Sequence, residues 1–173
     1  IPVTLGGGQE NGLRSGTENT VGIAGFGAAA AAGMNTLSAD TAQMRRLREG
    51  LIARLAAELP EVRPNLPAGE TAPHVLSLTL PRIKSETMLN HLSAKEICVS
   101  SGSACASASL DPSHVLLAIG LPHEKAHGSV RLSISHETTD EDIDYILEVL
   151  PPIVERLRKM SPLWEEIVNK SGQ

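Results

Sequence analysis

The sequence predicts an α+β protein with a small, largely antiparallel sheet that helices cover on one side. Residues 129–135 alternate apolar and polar side chains, and residues 74–80 do so from Leu76 onward, as half-buried strands do. Apolar residues elsewhere recur at spacings of three and four, which is typical of helices. Strands and helices therefore alternate, as they do in α/β proteins, but the short loops and the small sheet favour the α+β arrangement.

The first third of the chain is predicted to be mainly helical. Residues 17–20 supply capping side chains for a first helix, which is expected to pause at Gly33. A second helix is predicted to begin at Ser38 or Asp40 and to end at Pro60. Its apolar face consists of Leu47, Leu51, Ile52, Leu55 and Leu59. Together the two predicted helices are expected to form a long arm.

Shorter elements are predicted around the two alternating strands. They are a helix over residues 85–92, a strand over residues 97–99, a helix over residues 111–120 and a last helix that opens with residues 138–142. The last helix begins with threonine caps and acidic side chains, which favour a helix start. Prolines at residues 151 and 152 are expected to interrupt it.

The composition describes a globular chain and excludes two classes of partner. With 173 residues, 41% of them hydrophobic, the chain is long enough to bury a core. A formal net charge of −5 and one residue each of Phe, Tyr and Trp do not provide the basic, aromatic surface that nucleic-acid binding uses. The apolar runs contain glycines and are shorter than the roughly 20 residues that span a bilayer. We therefore expect no nucleic acid, no membrane segment and a cytoplasmic location.

The two cysteines are predicted to be free thiols, because they are too few for a disulfide framework and show no metal-ligand spacing. Cys98 lies between Ile97 and Val99 and is predicted to be a buried structural thiol. Cys105 lies in residues 100–109, where no side chain is larger than cysteine. Such a loop is long enough to carry its tip on the order of 10 Å or more. The alternative is an exposed serine-rich turn in which the cysteine is incidental.

Two further features are candidates for binding an anion. Arg131 lies within the predicted strand 129–135, where a guanidinium fork suits a small carboxylate. Strand alternation equally allows Arg131 to lie on the solvent-facing side without a ligand. Glycines 6–8 and the hydroxyl of Thr17 suit a phosphate at a helix start, although the spacing matches neither a P-loop nor a dinucleotide fingerprint. A simple capped turn is the alternative.

Three segments, taken together and in this order, resemble the C-terminal half of the cysteine desulfurases. They are GGGQENGLRSGTENT at residues 6–20, VSSGSAC at residues 99–105 and SVRLS at residues 129–133. Those enzymes are class V aminotransferase-like, have the aspartate aminotransferase-like fold, depend on pyridoxal phosphate and work as homodimers. They convert L-cysteine to L-alanine and leave a persulfide on an enzyme cysteine.

The resemblance implies roles for three residues. Cys105 would be the nucleophile, Arg131 would bind the substrate carboxylate, and Thr17 would reach the cofactor phosphate of the other subunit. The persulfide would then pass to an iron–sulfur scaffold or another sulfur acceptor protein. No metal site is implied.

The resemblance also implies a division of the chain. Residues 1–37 are expected to be a remnant of the large cofactor-binding domain with the interdomain helix, and residues 38–173 the small C-terminal domain. The family's cofactor lysine precedes the glycine-rich segment, so this chain is expected to lack that lysine and to be inactive alone. Two alternatives stay open: a non-enzymatic sulfur-acceptor or interaction module that uses Cys105, and a part of another class V aminotransferase.

Overall fold

A computed structural model of the chain describes residues 1–59, 61–67, 69–101 and 112–160. The chain forms two compact units, Ile1–Ala39 and Asp40–Gln173. The second unit contains a three-stranded antiparallel sheet with helices packed on it, so the predicted α+β class is confirmed. No helix in the described ranges is long and apolar enough to cross a membrane.

The first helix, α1, is a single helix of 39 residues, Thr20–Glu58. The Asn19 side chain caps it by accepting a hydrogen bond of 3.0 Å from the backbone N–H of Gly22, as residues 17–20 predicted. The predicted pause at Gly33 and the second start at Ser38 or Asp40 are wrong. One glycine in an alanine-rich run costs about 1 kcal/mol relative to alanine, which is too little to end a helix whose neighbours favour it.

The sheet consists of β1 (Arg63–Pro64), β2 (Val75–Thr79) and β3 (Ser129–Ser133), in that spatial order. In the β2–β3 pair, Leu76 lies opposite Leu132 and Leu78 lies opposite Val130. All four of these side chains are buried, as the alternating patterns predicted.

The predicted strand over residues 97–99 is wrong. The backbone N–H of Ile97 donates to the carbonyl of Leu92, at the end of helix α2 (Ser85–Ser93), so it is not available to a neighbouring strand. Glu96, with φ of 61°, turns the chain there. Within residues 97–101, which end the described part of this segment, Ser100 pairs with the sheet through an isolated bridge to Arg131.

The described part of the second unit contains three more helices: α3 (His114–Ala118), α4 (His123–Ala126) and α5 (Asp140–Lys159). Gly120, with φ of 88°, follows α3 as the sequence predicted. Thr139 and Asp142 form the predicted capping box at the start of α5.

The predicted interruption of α5 at residues 151–152 is wrong. The helix continues through both prolines, although a proline in a helix interior costs about 3 kcal/mol. Leu150, Val154 and Leu157 are buried on the two sides of the prolines. Packing of this continuous apolar face offsets the missing backbone hydrogen bonds.

The core lies between one face of the sheet and the helices α1, α2 and α5. Each element contributes side chains that are almost fully buried: Leu47, Leu51 and Leu55 from α1; Leu76, Leu78, Val130 and Leu132 from the sheet; Met88 and Leu92 from α2; Ile143, Leu147, Leu150 and Val154 from α5. Polar contacts also join α1 to α5. Arg46 forms two hydrogen bonds of 2.7 and 2.8 Å with Asp140, and Arg54 pairs with Asp144. The hydrogen bond from Arg46 lowers the pKa of Asp140.

Gly128 lies where the chain passes close to the end of β2. A Cβ atom at this position would be 2.6 Å from the carbonyl oxygen of Leu80 and 2.9 Å from that of Ile83. The Gly128 carbonyl also accepts a hydrogen bond of 2.8 Å from the N–H of Leu80, so these backbones cannot separate without losing it. This contact fixes the start of β3 against the end of β2.

We expect Gly128→Ala to lower the free energy of unfolding by about 1–3 kcal/mol, because the added methyl group has to displace backbone atoms. Gly50→Ala is the matched control. Gly50 lies inside α1 with open space where its Cβ would be, so alanine there should raise the free energy of unfolding by up to about 1 kcal/mol. Urea unfolding followed by circular dichroism measures both changes. Unchanged stability of Gly128→Ala would contradict the close approach.

Candidate functional site

Arg131 lies on the sheet face that points away from the core. Its neighbours Val130 and Leu132 are buried, and the two-residue period of β3 therefore leaves the Arg131 side chain exposed. Ser77 lies opposite it on β2. On the other side, the Arg131 N–H donates to the Ser100 carbonyl at 2.6 Å and the Ser100 N–H donates to the Arg131 carbonyl at 3.0 Å. The backbone of Arg131 is thus held from both sides.

The guanidinium of Arg131 forms no ion pair or hydrogen bond with any residue in the part of the chain that the structure describes. Other arginines of this unit do have partners. Arg46 is paired with Asp140, and the buried Arg48 donates to the Thr71 hydroxyl at 2.9 Å and to the Ala72 carbonyl at 2.7 Å. Arg131 therefore has donors that do not hold the fold together.

A cavity of about 680 Å³ lies beside Arg131. Such a volume is typical of small-molecule sites. Its polar lining includes Arg131, Ser77 and Ser101, and its apolar wall includes Val115 and Leu116 from α3. We call it the Arg131 cavity. One cation beside an apolar wall suits a small ligand that carries a carboxylate.

Polar residues of the same sheet face form a connected set of hydrogen bonds. The Asn65 amide donates to the Ser77 hydroxyl at 3.1 Å, and its oxygen accepts from the Thr79 hydroxyl at 3.0 Å. Thr79 and Ser129 hydroxyls lie 3.0 Å apart. These residues were not predicted from the sequence. The signal was present in the polar positions of the alternating strands, which lie next to one another once the strands pair.

Thr17 lies in the first unit, at the end of a folded glycine-rich turn. The Ser15 hydroxyl donates to the Gly7 carbonyl at 2.7 Å, and the Gly16 N–H donates to the Gln9 side chain at 3.1 Å. Gly16 has φ of 104°, which a residue with a side chain adopts only with strain. Thr17 is exposed, and its hydroxyl has no hydrogen-bond partner among the described residues.

The two cysteines differ in what the structure describes. Cys105, the predicted nucleophile, lies outside the described residues. Cys98 is exposed, so its prediction as a buried structural thiol is wrong. The neighbouring Ile97 is the residue that faces the core, with 9% of its surface exposed. Apolar neighbours were a poor guide here because only one side of the segment faces the core.

In the described ranges, no group of three or more His, Cys, Asp or Glu side chains is placed to hold a metal ion. Of the three predicted site residues, the structure describes Arg131, in the second unit, and Thr17, in the first. Both have polar atoms without a described partner, and both suit a negatively charged ligand group.

Comparison with known proteins relates these features to a family. Residues 6–146 match the family "Aminotransferase class-V". The chain is 51% identical over 170 residues to the cysteine desulfurase IscS of Clostridium botulinum, which covers 97% of this chain and 43% of that protein. It is 44% identical over 163 residues to the cysteine desulfurase IscS 1 of Archaeoglobus fulgidus, covering 94% of this chain and 42% of that protein.

A solved structure agrees with the sequence comparison. The NifS-like protein from Rickettsia africae superposes with a TM-score of 0.77 at 34% identity, covering 90% of this chain and 40% of that one. The chain therefore spans less than half the length of the relatives that it matches. Its family match extends over the glycine-rich turn, the sheet and the start of α5, and on this basis the chain belongs to the class-V aminotransferase family.

Proposed function

We propose that this chain is part of a pyridoxal phosphate-dependent cysteine desulfurase, which takes sulfur from L-cysteine, leaves L-alanine and forms a persulfide on Cys105. The observation that carries the proposal is the Arg131 cavity. A guanidinium without a described partner lines it, on a backbone that is paired to Ser100, five residues before Cys105. Identity of 51% to a named cysteine desulfurase supports the reaction class.

Arg131 has the properties that a carboxylate clamp requires. Its planar guanidinium can donate two parallel hydrogen bonds to the carboxylate of an amino-acid substrate. Its backbone is fixed by pairing with Ser77 and Ser100, so binding a carboxylate requires ordering of the side chain alone. The absence of a competing carboxylate in the described part of the chain means that no internal ion pair has to break first.

Thr17 suits the phosphate of the cofactor. Its exposed hydroxyl lies just before α1, where backbone N–H groups and the helix dipole favour an anion. When bound, pyridoxal phosphate supplies an electron sink for the substrate carbons. In a homodimer, Thr17 would serve the cofactor of the other subunit.

Cys105 supplies the sulfur-accepting thiol. Its Sγ forms an S–S bond with the sulfur of L-cysteine while the C–S bond of the substrate breaks, and the carbon takes up a proton to become the methyl group of L-alanine. The products are one persulfide and one alanine, with no external oxidant or reductant. Because the thiolate is the attacking form and an ordinary thiol has a pKa of about 8.5, the site has to favour deprotonation. The persulfide then passes to an acceptor protein, for which an iron–sulfur scaffold is one candidate.

Replacement of Arg131 by alanine in the complete enzyme should lower kcat/KM for L-cysteine by about a hundredfold or more, mainly through a higher KM. The reason is loss of two charge-assisted hydrogen bonds to the substrate carboxylate. Ser133→Ala is the matched control, since Ser133 is the next exposed residue on the same strand. Steady-state alanine formation measures both variants. A KM for Arg131→Ala equal to that of the control would exclude the clamp.

The two thiols provide a paired test of the sulfur acceptor. We expect Cys105→Ser to abolish sulfur transfer from L-cysteine while the cofactor stays bound, because the nucleophile acts on substrate that is already held. Cys98→Ser removes the exposed thiol of Cys98 and should leave transfer within about twofold of the unchanged enzyme. Mass spectrometry after a single turnover locates the persulfide. Finding it on Cys98, or normal transfer in Cys105→Ser, would refute the assignment.

A further inference from the structure

Ser77 occupies the position next to Arg131 on the sheet. The two residues lie directly opposite each other on β2 and β3, which places their Cβ atoms about 5 Å apart. Both residues line the Arg131 cavity. A ligand group that is held by the guanidinium therefore lies within reach of the Ser77 hydroxyl.

The hydrogen bonds of this sheet face assign a direction to the Ser77 hydroxyl. A hydroxyl group has one hydrogen to donate, and its oxygen can also accept. The Thr79 hydroxyl donates its hydrogen to the side-chain oxygen of Asn65 at 3.0 Å. The side-chain N–H of Asn65 donates in turn to the Ser77 oxygen at 3.1 Å. Ser77 is therefore an acceptor within the sheet, and its own hydrogen is not used there.

The buried end of this set of hydrogen bonds agrees with that direction. Because Thr79 donates to Asn65, Ser129 is the donor in the 3.0 Å contact between the Thr79 and Ser129 hydroxyls. The Lys125 carbonyl lies 3.4 Å from the Ser129 hydroxyl, but it already accepts from the Gly128 N–H at 3.1 Å. Donation therefore runs from the buried end of the set towards the Arg131 cavity.

The donor that remains at the cavity is the O–H of Ser77. Ser77 is half-buried, and no described residue accepts a hydrogen bond from its hydroxyl. A donor beside a guanidinium favours a negatively charged acceptor, and hydrogen bonds to charged groups are stronger than those between neutral groups. Asn65 holds the Ser77 oxygen from the other side, so the hydroxyl loses little freedom when it binds a ligand.

We infer that Ser77 is a second ligand of the substrate carboxylate and that Asn65 is a positioning residue that acts through Ser77. The inference rests on the proposed desulfurase function and adds one residue to the Arg131 clamp. The carboxylate accepts from the guanidinium and from the Ser77 O–H, so an amine without a carboxylate loses both contacts. Ser77 thus contributes to the selection of an amino acid as substrate.

Steady-state alanine formation by the complete enzyme tests the role of Ser77. We expect Ser77→Ala to raise KM for L-cysteine about tenfold with kcat within about twofold, because the lost contact is made in the bound substrate and in the transition state alike. Ser77→Thr keeps the hydroxyl on a residue that strands favour, and its KM should stay within about threefold of the unchanged enzyme. Ser133→Ala is the matched control, because Ser133 lies on the same sheet face and does not line the cavity.

Inhibition by β-mercaptopropionate separates recognition of the carboxylate from turnover. This molecule keeps the thiol and the carboxylate of L-cysteine but has no amino group, so it cannot be converted to alanine. Its inhibition constant should rise about tenfold in Ser77→Ala and stay unchanged in Ser133→Ala. A purely structural effect of the substitution would lower the amount of active enzyme, and hence kcat, without changing the inhibition constant.

A double variant tests the positioning role of Asn65. Asn65→Ala alone should raise KM for L-cysteine about threefold, because the Ser77 oxygen is then no longer held. In the Ser77→Ala background the same change should have no further effect on KM, since no hydroxyl is left to position. Effects of the two changes that multiply would show that Asn65 does not act through Ser77.

Two further results would overturn the inference, and they can be told apart. If KM and the inhibition constant of Ser77→Ala equal those of Ser133→Ala, Ser77 does not bind the carboxylate, although the desulfurase activity and the Arg131 clamp still stand. If the unchanged enzyme forms no alanine from L-cysteine, the proposed function fails and this inference fails with it.

Discussion

The alternation of side chains in β2 and β3 is the constraint on which the Arg131 cavity depends. Leu76, Leu78, Val130 and Leu132 bury one face of the sheet against the helices, and each fully buried aliphatic side chain contributes about 1.5–3 kcal/mol. The intervening residues, among them Ser77, Thr79 and Arg131, therefore lie on the opposite face of the sheet. A slip of one residue in register would exchange the two sets and bury the arginine. The core thus fixes where ligands can bind, and the close approach at Gly128 helps to hold that register.

The arginines can be grouped by their partners. Some are paired with other parts of the protein and hold the fold together, and others have donors that are available to a ligand. Arg46 and Arg54 join α1 to α5 through aspartates, and Arg48 is hydrogen-bonded to the segment before β2. Exposed ion pairs such as the first two contribute little individually, typically below about 1 kcal/mol, so their main effect is on the geometry of the helix pair. Arg131 has no described partner of this kind. It lies at the Arg131 cavity, where its guanidinium donors are available to a ligand.

Local sequence patterns correctly predicted the secondary-structure elements that depend on local sequence alone. Period-two alternation located β2 and β3, and the threonine with an aspartate three residues later located the start of α5. The failures at the prolines of α5 and at Cys98 have one cause, since each depends on what packs against the residue. A proline pair next to buried leucines and a thiol beside one buried isoleucine cannot be judged from their neighbours in sequence. The failure at Gly33 is different, because one glycine costs too little to end a helix that its neighbours favour. Arg131 was ambiguous for the same reason, because spacing allowed both a solvent-facing arginine and a clamp, and only the family resemblance favoured the clamp.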